Sequence, residues 1–312
     1  MKTLDIITSA FNEEGNISEL YDQLYYVLSR EDQYSWSLIV CDNASTDGTW
    51  FEIQELCKRS NNVLGIRMAR DFGFEGAIKA ALDRSTADAT VIMTSDLQDN
   101  PDEIPKFLRQ FENGFDHVYQ IVTSRPGSSR LRKMNSKLFY WAAGRLSKGQ
   151  IKNNVSEFRL ISRRLRNGLN ELNERNRFLR GLVSWVGFNS IGENFPRRER
   201  LSGKSKANSL HVFNLGTKAI LANSYGVLNV ISVIGLSVSV LSALLTMIFS
   251  VIWIIQGVPF AGFGMLVSIL MLGFGIVMLA LGVIAQYLSL MYEEIKQRPN
   301  YLVMETTAQT NS

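Results

Sequence analysis

The stretch VIMTSDLQDNP, Val91–Pro101, decides the predicted fold. It begins as an apolar, β-rich run, ends abruptly in oxygen-bearing side chains, and is closed by a proline that opens a predicted helix. In an open parallel sheet, ligands bind just beyond the carboxyl ends of the strands. This stretch has the form of such a site, with carboxylates, Asp96 among them, at the strand end where a phosphate-bound cation would lie. For these residues alone, an ordinary polar turn with an aspartate at the helix cap is the favoured explanation.

The rest of the N-terminal half repeats this strand-then-helix pattern. Apolar runs with strand character occupy residues 4–9, 37–42, 63–68, 91–94 and 117–124, and helical patterns occupy 17–28, 49–59, 73–84 and the residues after 101. Strands that alternate with helices indicate an α/β fold with a doubly wound, mostly parallel sheet.

Polar loops follow the first four predicted strands, at residues 9–13, 42–47, 70–73 and 96–99. Because the carboxyl ends of parallel strands lie along one edge of a sheet, we expect these loops to surround one crevice. Each loop alone has an ordinary explanation, such as the Asp47-Gly48 turn, but together they favour a binding site. The chain contains neither Gly-x-Gly-x-x-Gly nor Gly-x-x-x-x-Gly-Lys-Ser/Thr, so a dinucleotide fingerprint or a P-loop is a poor explanation.

Charge is distributed unevenly along the chain, whose net charge is +4. Residues 125–218 contain 21 of the 33 Lys and Arg residues, whereas residues 1–124 contain 21 of the 29 Asp and Glu residues. A basic segment can bind nucleic acid, phosphorylated ligands or anionic lipid. Because this segment runs directly into an apolar one, we expect anionic lipid of the inner membrane leaflet as its partner, and no nucleic acid.

The apolar segment at residues 219–292 contains no Asp, Glu, Lys, Arg or His. It holds two runs, about 227–255 and 262–290, and each exceeds the roughly 20 apolar residues that a membrane helix needs. We therefore predict a two-helix transmembrane hairpin; a buried pair of soluble helices is the less favoured alternative. Lys218 precedes the hairpin and Lys296 and Arg298 follow it, so the positive-inside rule places both chain ends in the cytoplasm.

Seven motifs link the predicted loops to a known family. They are SAFNEE (Ser9–Glu14), CDNASTDGT (Cys41–Thr49), RDFG (Arg70–Gly73), SDLQD (Ser95–Asp99), EFRL (Glu157–Leu160), RFLRG (Arg177–Gly181) and RLSGKSK (Arg200–Lys206). In these motifs and their order the chain resembles family-two inverting glycosyltransferases. It is most similar to the polyprenyl-phosphate branch, which includes bactoprenol glucosyltransferases and dolichol-phosphate mannose synthases. The resemblance covers nearly the whole chain, including the hairpin that bacterial members carry.

The resemblance implies a GT-A type fold and transfer of a sugar, with inversion at the anomeric carbon. The implied donor is a nucleotide sugar, a UDP-hexose such as UDP-glucose. The implied acceptor is a polyprenyl phosphate such as undecaprenyl phosphate, and the product would serve modification of a cell-surface glycan. The implied cofactor is Mg²⁺ or Mn²⁺. A multi-pass protein of the bacterial cytoplasmic membrane, with its catalytic domain in the cytoplasm, is the expected setting.

The resemblance also implies a role for individual residues, carried over by position in the motifs. It places Ser9, Phe11, Glu13, Asp42, Arg70, Ser95 and Asp96 at the nucleotide sugar, and Asp96 and Gln98 at the metal. It makes Asp96 and Glu157 the catalytic residues. It places Arg125, Arg130, Arg177, Arg180, Arg200 and Lys206 at the acceptor phosphate.

Four parts are then predicted along the chain. Residues 1–208 form the cytoplasmic GT-A type domain, whose nucleotide-binding part is 1–124 and whose basic, acceptor- and membrane-facing part is 125–208. A juxtamembrane amphipathic helix at 209–225, the hairpin at 226–292 and a cytoplasmic tail at 293–312 follow. Residues 130–148 mix apolar and cationic side chains, which is typical of a helix on a membrane surface. An ordinary core-facing helix is the alternative for that stretch.

This sequence departs from the family pattern at four positions. Thr94 stands where the first carboxylate of Asp-x-Asp is usual, and Asn43 where the second strand usually ends in a second Asp. Ser9 replaces the usual proline, and Glu157 replaces the usual Asp. Mg²⁺ often uses only one or two protein carboxylates, so Asp96 with Gln98 and a diphosphate suffices as a metal site.

Glu157 does not need to act as a base, because a phosphate monoester is already an anion near neutral pH. The carboxylate is expected to orient a sugar hydroxyl or to keep the approach in line. An ion pair with Arg159 or another nearby arginine is an equally favoured explanation of Glu157.

Other functions remain open at the level of sequence. Transfer to a growing polysaccharide is disfavoured, because two membrane helices form no obvious polymer channel. A catalytically impaired scaffold with a nucleotide site is motivated by Thr94 and Asn43. Small residues in the second apolar run permit packing against a partner helix, and so a homo-oligomer, but they equally permit packing within the hairpin.

Overall fold

A computed structural model describes residues 1–123, 155–172, 174, 177–196 and 262–307, together with isolated helical positions at 237, 244, 247, 248, 251 and 255. The described residues fall into two compact units. One unit is drawn from residues 1–211 and 298–312, and the other from residues 212–297.

The first unit alternates strands and helices along most of its length. Its strands are β1 (Lys2–Ala10), β2 (Tyr34–Asp42), β3 (Val63–Met68), β4 (Ala89–Thr94), β5 (His117–Val122), β6 (Val155–Ser162), β7 (Ser190–Phe195) and β8 (Val303–Thr306). Its helices are α1 (Asn16–Leu28), α2 (Thr49–Arg59), α3 (Gly73–Arg84), α4 (Ile104–Glu112), α5 (Arg163–Glu171) and α6 (Leu179–Val186). A 3₁₀ turn, Pro101–Glu103, leads into α4.

The described strands form one mixed sheet in the order β7-β5-β6-β4-β1-β2-β3-β8. The central block β4-β1-β2-β3 is parallel throughout, as the strand–helix alternation predicts. Antiparallel pairs flank that block, because β6 runs against both β4 and β5 and β8 runs against β3. The α/β class is confirmed, and the mostly parallel sheet is refined to a mixed one.

Apolar side chains cover both faces of the sheet, since successive residues of a strand point to opposite faces. On one face, Ile6 packs in a cluster with Leu24 and Phe107, which belong to α1 and α4. On the other face, Ile7 packs in a cluster with Ile78 and Leu182, which belong to α3 and α6. The helices therefore form a layer on each face of the sheet.

Two short caps shape the connections around the predicted site. The Asn100 side chain accepts a hydrogen bond from the Asp102 amide at 3.1 Å, which starts the 3₁₀ turn after β4. The Ser162 hydroxyl accepts from the Leu165 amide at 3.1 Å and so caps α5 directly after β6. Side-chain caps of this kind satisfy the free amides of a helix start.

A long apolar helix, α7 (Phe263–Ile295), forms the described part of the second unit together with the isolated positions. Its segment Gly273–Ile295 is the single stretch of the described chain that is long and apolar enough to cross a membrane, with a mean hydropathy of 2.0. The second predicted membrane run, 262–290, is thus helical. The first run, 227–255, the predicted surface helix at 130–148 and the predicted juxtamembrane helix at 209–225 lie outside the described residues, apart from isolated positions in 227–255.

The segment predicted as a cytoplasmic tail contributes to the sheet. Strand β8 pairs with β3, and the Ala69 amide donates to the Leu302 carbonyl at 2.9 Å. The Thr307 amide donates to the Gly65 carbonyl at 3.0 Å, and the Tyr301 hydroxyl donates to Asp83 at 2.9 Å. The last described residues are therefore part of the same folded unit as the N-terminal strands.

Candidate active site

The carboxyl ends of the four central strands lie side by side. The strand register pairs Ser9 with Cys41 on one side and with Thr94 on the other. It also pairs Asp42 with Arg67. The first residues of the four polar loops therefore start from adjacent positions along one edge of the sheet, which is the arrangement expected of a ligand crevice.

The loops after β1 and β2 are tied together by reciprocal hydrogen bonds. The Asn12 amide donates to the Ser45 hydroxyl at 2.9 Å, and the Thr46 amide donates back to the Asn12 side chain at 2.9 Å. The Glu13 amide donates to the Thr49 hydroxyl at 2.9 Å. Asn12 adopts a left-handed backbone with φ of 54°, which asparagine tolerates well. These contacts give the crevice a preformed wall.

Two predicted nucleotide residues of the first loop have different surroundings. The Glu13 carboxylate accepts a hydrogen bond from the Asn16 side chain at 2.6 Å, and so supports the first turn of α1. Phe11 is half-buried at the end of β1. The structure thus gives Glu13 a local structural partner, rather than leaving its carboxylate in open solvent.

Asp42 is fully buried at the end of β2. One carboxylate oxygen accepts a hydrogen bond from the Ser45 amide at 3.1 Å. The other oxygen lies 3.5 Å from Arg67 Nε and has no hydrogen-bond partner among the described residues. Buried polar atoms are normally satisfied, and the ion pair with Arg67 is the partner that the described residues give this oxygen.

Asn43 connects the second loop to the third. Its side-chain nitrogen donates to the Asp71 carboxylate, while its oxygen accepts from the Phe72 amide at 2.9 Å. The Gly73 amide also donates to Asp71, at 2.7 Å. Because one side chain must both donate and accept here, an amide fits and an ionised carboxylate does not. This contact explains why asparagine stands at position 43.

Arg70 lies on the exposed surface of the third loop, with its guanidinium 4.5 Å from the centre of the Phe72 ring. A cation above an aromatic face is held without losing its hydrogen-bond donors. The position of Arg70 is thus linked through Phe72 to Asn43, and its donors remain accessible to a phosphate.

The loop after β4 is anchored by its own polar side chains. The Ser95 hydroxyl donates to the Ser9 carbonyl at 2.9 Å, which joins the ends of β4 and β1. The Thr94 hydroxyl lies 2.7 Å from Asp96 Oδ1 and 2.8 Å from Asp99 Oδ2, and the Thr94 amide donates to Asp99 at 2.9 Å. Thr94 therefore sits between two carboxylates, where a third carboxylate would be repelled.

Asp96 is the predicted metal ligand at this strand end, and it is buried. Its Oδ1 accepts from the Gln98 amide at 3.3 Å, across Leu97, whose φ is 57°. In the part of the chain that the structure describes, no group of three or more His, Cys, Asp or Glu side chains could hold a metal ion. The protein therefore offers few ligands here, and a cation would need phosphate oxygens or water as well.

Glu157 lies in β6 and pairs with two arginines. Its Oε2 accepts from Arg159 Nη2 at 3.1 Å, and its Oε1 lies 2.7 Å from Arg180 Nε. The Arg159 side chain is 1% exposed, whereas that of Arg180 is 28% exposed. Burial lowers the pKa of Arg159, and Glu157 opposes that effect. The ion pair expected as the alternative for Glu157 is thus present, with Arg180 as its accessible partner.

Glu75, in the first turn of α3, belongs to the same cluster and was missed by the sequence reasoning. Its two carboxylate oxygens each lie 3.2 Å from the Leu179 amide, at the start of α6. Burial and the neighbouring Glu157 carboxylate raise the pKa of Glu75 to about 7, against the effect of the Leu179 amide and the arginines. Nothing local marks Glu75 in the sequence, because its partner lies 104 residues away.

Arg177 is predicted to bind the acceptor phosphate, but the structure gives it other contacts. Its guanidinium donates to the Leu172 carbonyl at 2.6 Å and to the Leu169 carbonyl at 3.2 Å. These are the free carbonyls at the end of α5, which a cationic side chain stabilises. These contacts give Arg177 a structural role in the framework of the site, and its binding of the acceptor phosphate stays a prediction.

The remaining predicted acceptor residues cannot be placed. Arg125, Arg130, Arg200 and Lys206 lie outside the described residues. Of the predicted acceptor set, Arg180 is thus the residue that the structure brings next to Glu157.

Comparison with known proteins gives the family. The family model for glycosyl transferase family 2 matches residues 5–168. A bactoprenol glucosyl transferase of Shigella phage SfX is 33% identical over 305 residues, which cover 96% of this chain and 98% of that protein. An uncharacterised glycosyltransferase of Synechocystis is 32% identical over 303 residues, covering 97% and 95% of the two chains. The chain belongs to glycosyl transferase family 2, and it is a glycosyltransferase.

Solved structures are also similar to this chain. A crystal structure of glucosyl-3-phosphoglycerate synthase from Mycobacterium tuberculosis, in complex with phosphoglyceric acid, has a TM-score of 0.49 and 19% identity. The similarity covers 72% of this chain and 80% of that one.

Proposed function

We propose that the protein transfers a hexose from a UDP-sugar, such as UDP-glucose, to a polyprenyl phosphate, such as undecaprenyl phosphate. The near full-length similarity to a bactoprenol glucosyl transferase carries this proposal, since it extends beyond the family domain to the apolar C-terminal segment. The product would be a polyprenyl-phosphate-linked sugar for modification of a cell-surface glycan.

The donor is assigned to the edge formed by the ends of β1–β4. One carboxylate oxygen of Asp42 lies 3.5 Å from Arg67 and has no hydrogen-bond partner among the described residues; it would accept from an N–H group of the nucleotide base. Arg70 is exposed and would contact a phosphate. Ser9, Phe11 and Ser95 complete the proposed nucleotide-sugar set at the same strand ends, and Glu13 supports it from α1.

The side chains at the end of β4 are suitable ligands for a divalent cation. Asp96 and Gln98 would hold Mg²⁺ or Mn²⁺, which suits a cation that takes its other ligands from a diphosphate and water. When bound, the cation would neutralise charge that develops on the departing nucleoside diphosphate. Thr94 positions the Asp96 carboxylate through its hydroxyl and is not itself required as a ligand.

The acceptor is assigned to Glu157 and Arg180. A phosphate monoester, whose second pKa is about 6, is largely dianionic at neutral pH and needs no base. Its oxygen would form the new bond to the anomeric carbon while the bond to the diphosphate oxygen breaks, and UDP would leave with that electron pair. Arg180 would bind the phosphate, and Glu157 would orient the sugar. Arg125, Arg130, Arg200 and Lys206 remain proposed acceptor residues.

The proposed setting is the cytoplasmic face of a bacterial inner membrane. The helix α7 supports membrane attachment, because Gly273–Ile295 is apolar enough to span a bilayer. The second helix of a hairpin remains a prediction. A site at the membrane surface would reach a lipid phosphate while the polyprenyl chain stays in the bilayer, and the basic segment would bind anionic lipid.

A donor screen tests the proposed function. Purified protein, Mg²⁺ or Mn²⁺, undecaprenyl phosphate and a panel of UDP- and GDP-sugars would be assayed for lipid-linked product. We expect product with one UDP-hexose. Nucleotide binding without product from any donor would favour the catalytically impaired scaffold. Extension of an oligosaccharide acceptor without lipid-linked product would favour a polysaccharide-extending enzyme.

A further inference from the structure

The carboxyl group of Glu75 fixes the start of α6. Both of its oxygens lie 3.2 Å from the Leu179 amide, and Leu179 is the first residue of that helix. An acidic group at a helix N-terminus is stabilised by the free amides and by the helix dipole. Arg180 is the next residue, so this contact of Glu75 also positions the backbone from which the Arg180 side chain extends.

The charged groups that act on Glu75 come from β6, from α6 and from the residues just before α6. Glu157 and Arg159 come from β6, Arg180 comes from α6, and Arg177 precedes α6. Arg159 is buried and donates to the Ser156 carbonyl as well as to Glu157, so it is fixed in place. Arg180 is the accessible cation of the group.

The charge of this cluster depends on Glu75. With both carboxyl groups ionised, Glu75 and Glu157 leave one net positive charge among these five side chains. With Glu75 protonated, the same five side chains carry two net positive charges. A more positive cluster attracts a phosphate dianion more strongly.

We propose that Glu75 is a positioning residue for the acceptor phosphate: it holds α6 in place, and its protonated form favours phosphate binding beside Arg180. This inference rests on the proposed function. Binding of the dianion would favour proton uptake by Glu75. After transfer, the phosphate is a diester with one negative charge, so the attraction weakens and the product leaves more easily.

The Glu75 carboxyl group is suited to change its protonation state near neutral pH. Burial and the Glu157 carboxylate raise the pKa of Glu75 to about 7. The ionised fraction therefore rises between pH 6 and 8, which is where the affinity for the acceptor should fall. A glutamine at this position keeps the oxygen that accepts from the Leu179 amide but removes the titration.

The test compares wild type with Glu75→Gln in kcat/KM for the lipid phosphate, measured from pH 6 to 9. We expect the ratio of wild type to variant to fall by about tenfold over this range, as one pKa unit of coupling would produce. The variant alone should rise by about twofold above pH 6, because the acceptor phosphate completes its second ionisation there, and its KM for the UDP-sugar should be unchanged. Glu171→Gln removes an exposed acid from the neighbouring α5 and should follow the wild-type profile. Parallel profiles for wild type and Glu75→Gln would overturn the inference.

A stability measurement provides a readout that does not need activity. Because the folded chain binds the Glu75 proton more tightly than the unfolded chain, wild-type stability should fall as pH rises from about 4.5 through 7. The Tm of Glu75→Gln relative to wild type should therefore rise between pH 5 and 8. A constant Tm difference would overturn the inference.

Absence of lipid-linked product from wild type would overturn the proposed function, and this inference with it.

Discussion

Asn43 illustrates how one side chain sets the shape of the donor site. It donates to Asp71 and accepts from the Phe72 amide, so it holds the loop that carries Arg70. Asn43→Asp would place two carboxylates in contact and remove the donor. Losing a hydrogen bond to a charged group costs about 1.5–3 kcal/mol, so we expect the KM for the UDP-sugar to rise at least about tenfold. Steady-state kinetics at saturating acceptor would measure this.

The double variant Asn43→Asp with Asp71→Asn is the matched control. It exchanges the two groups, so one amide again faces one carboxylate and an oxygen remains for the Phe72 amide. We expect most of the lost affinity to return. A double variant no better than Asn43→Asp would show that the contact between positions 43 and 71 does not control donor binding.

Asp96 and Thr94 should differ sharply in their effect on activity. Asp96→Asn weakens the proposed metal ligand, and even residues that only support a metal ligand cost about 10–100-fold when changed. Thr94→Ala removes a hydroxyl that positions Asp96, and we expect a loss of roughly tenfold or less. Metal-dependent turnover of both variants is the measurement. Equal, mild losses would contradict the assignment of the metal to Asp96 and Gln98.

Glu157→Gln separates turnover from donor binding. The change removes the charge that pairs with Arg180 but preserves the size of the side chain. We expect kcat to fall about 10-fold or more, while the Kd for UDP measured by calorimetry stays within about twofold. A variant that loses UDP affinity and keeps kcat would show that Glu157 belongs to the donor side.

At the scale of single residues, the sequence predicts which strand ends carry polar residues but not what each side chain contacts. Glu13 supports α1 and Arg177 caps α5, and neither contact follows from the local pattern. Glu75 binds an amide 104 residues away. A single sequence contains no signal for such a partner, because it depends on how α3 and α6 pack on the sheet.

At the scale of elements, the sequence predicts the first half of the fold well. The bounds of α2, β3 and α3 agree with the prediction, because each has a clear apolar period and a polar turn at both ends. Strands β6, β7 and β8 were not predicted. β6 contains the charged residues Glu157 and Arg159 although every residue except Glu157 is buried, and β8 has only four residues. Their strand form depends on the neighbouring strands rather than on their own pattern.

Strand β8 should contribute measurably to stability. A chain that ends after residue 299 loses the pairing with β3 and the hydrogen bond from Tyr301 to Asp83. Each such hydrogen bond contributes about 1 kcal/mol, so we expect Tm to fall by roughly 5–10 °C. A chain that ends after residue 307 keeps β8 and is the control. Equal Tm values for the two truncations, measured by differential scanning fluorimetry, would show that the strand is dispensable.

At the scale of the whole molecule, attachment to the membrane is the central expectation. We expect the full chain to remain with the membrane pellet after extraction with high salt and with alkaline carbonate, because an apolar helix is not released by either treatment. Immunoblotting of pellet and supernatant would measure this. Release by carbonate would contradict insertion of Gly273–Ile295 and leave surface binding through the basic segment.

The pairing of β8 with β3 sets an order of events during synthesis. The ribosome makes β3 early and β8 last, and a domain otherwise folds from its N-terminus as it emerges. β3 therefore stays an open edge until the apolar helix α7 and then β8 have been made. An open edge strand invites pairing with other chains. Stalled or truncated products that lack β8 are thus expected to aggregate through β3, whereas a chain that contains β8 covers that edge itself.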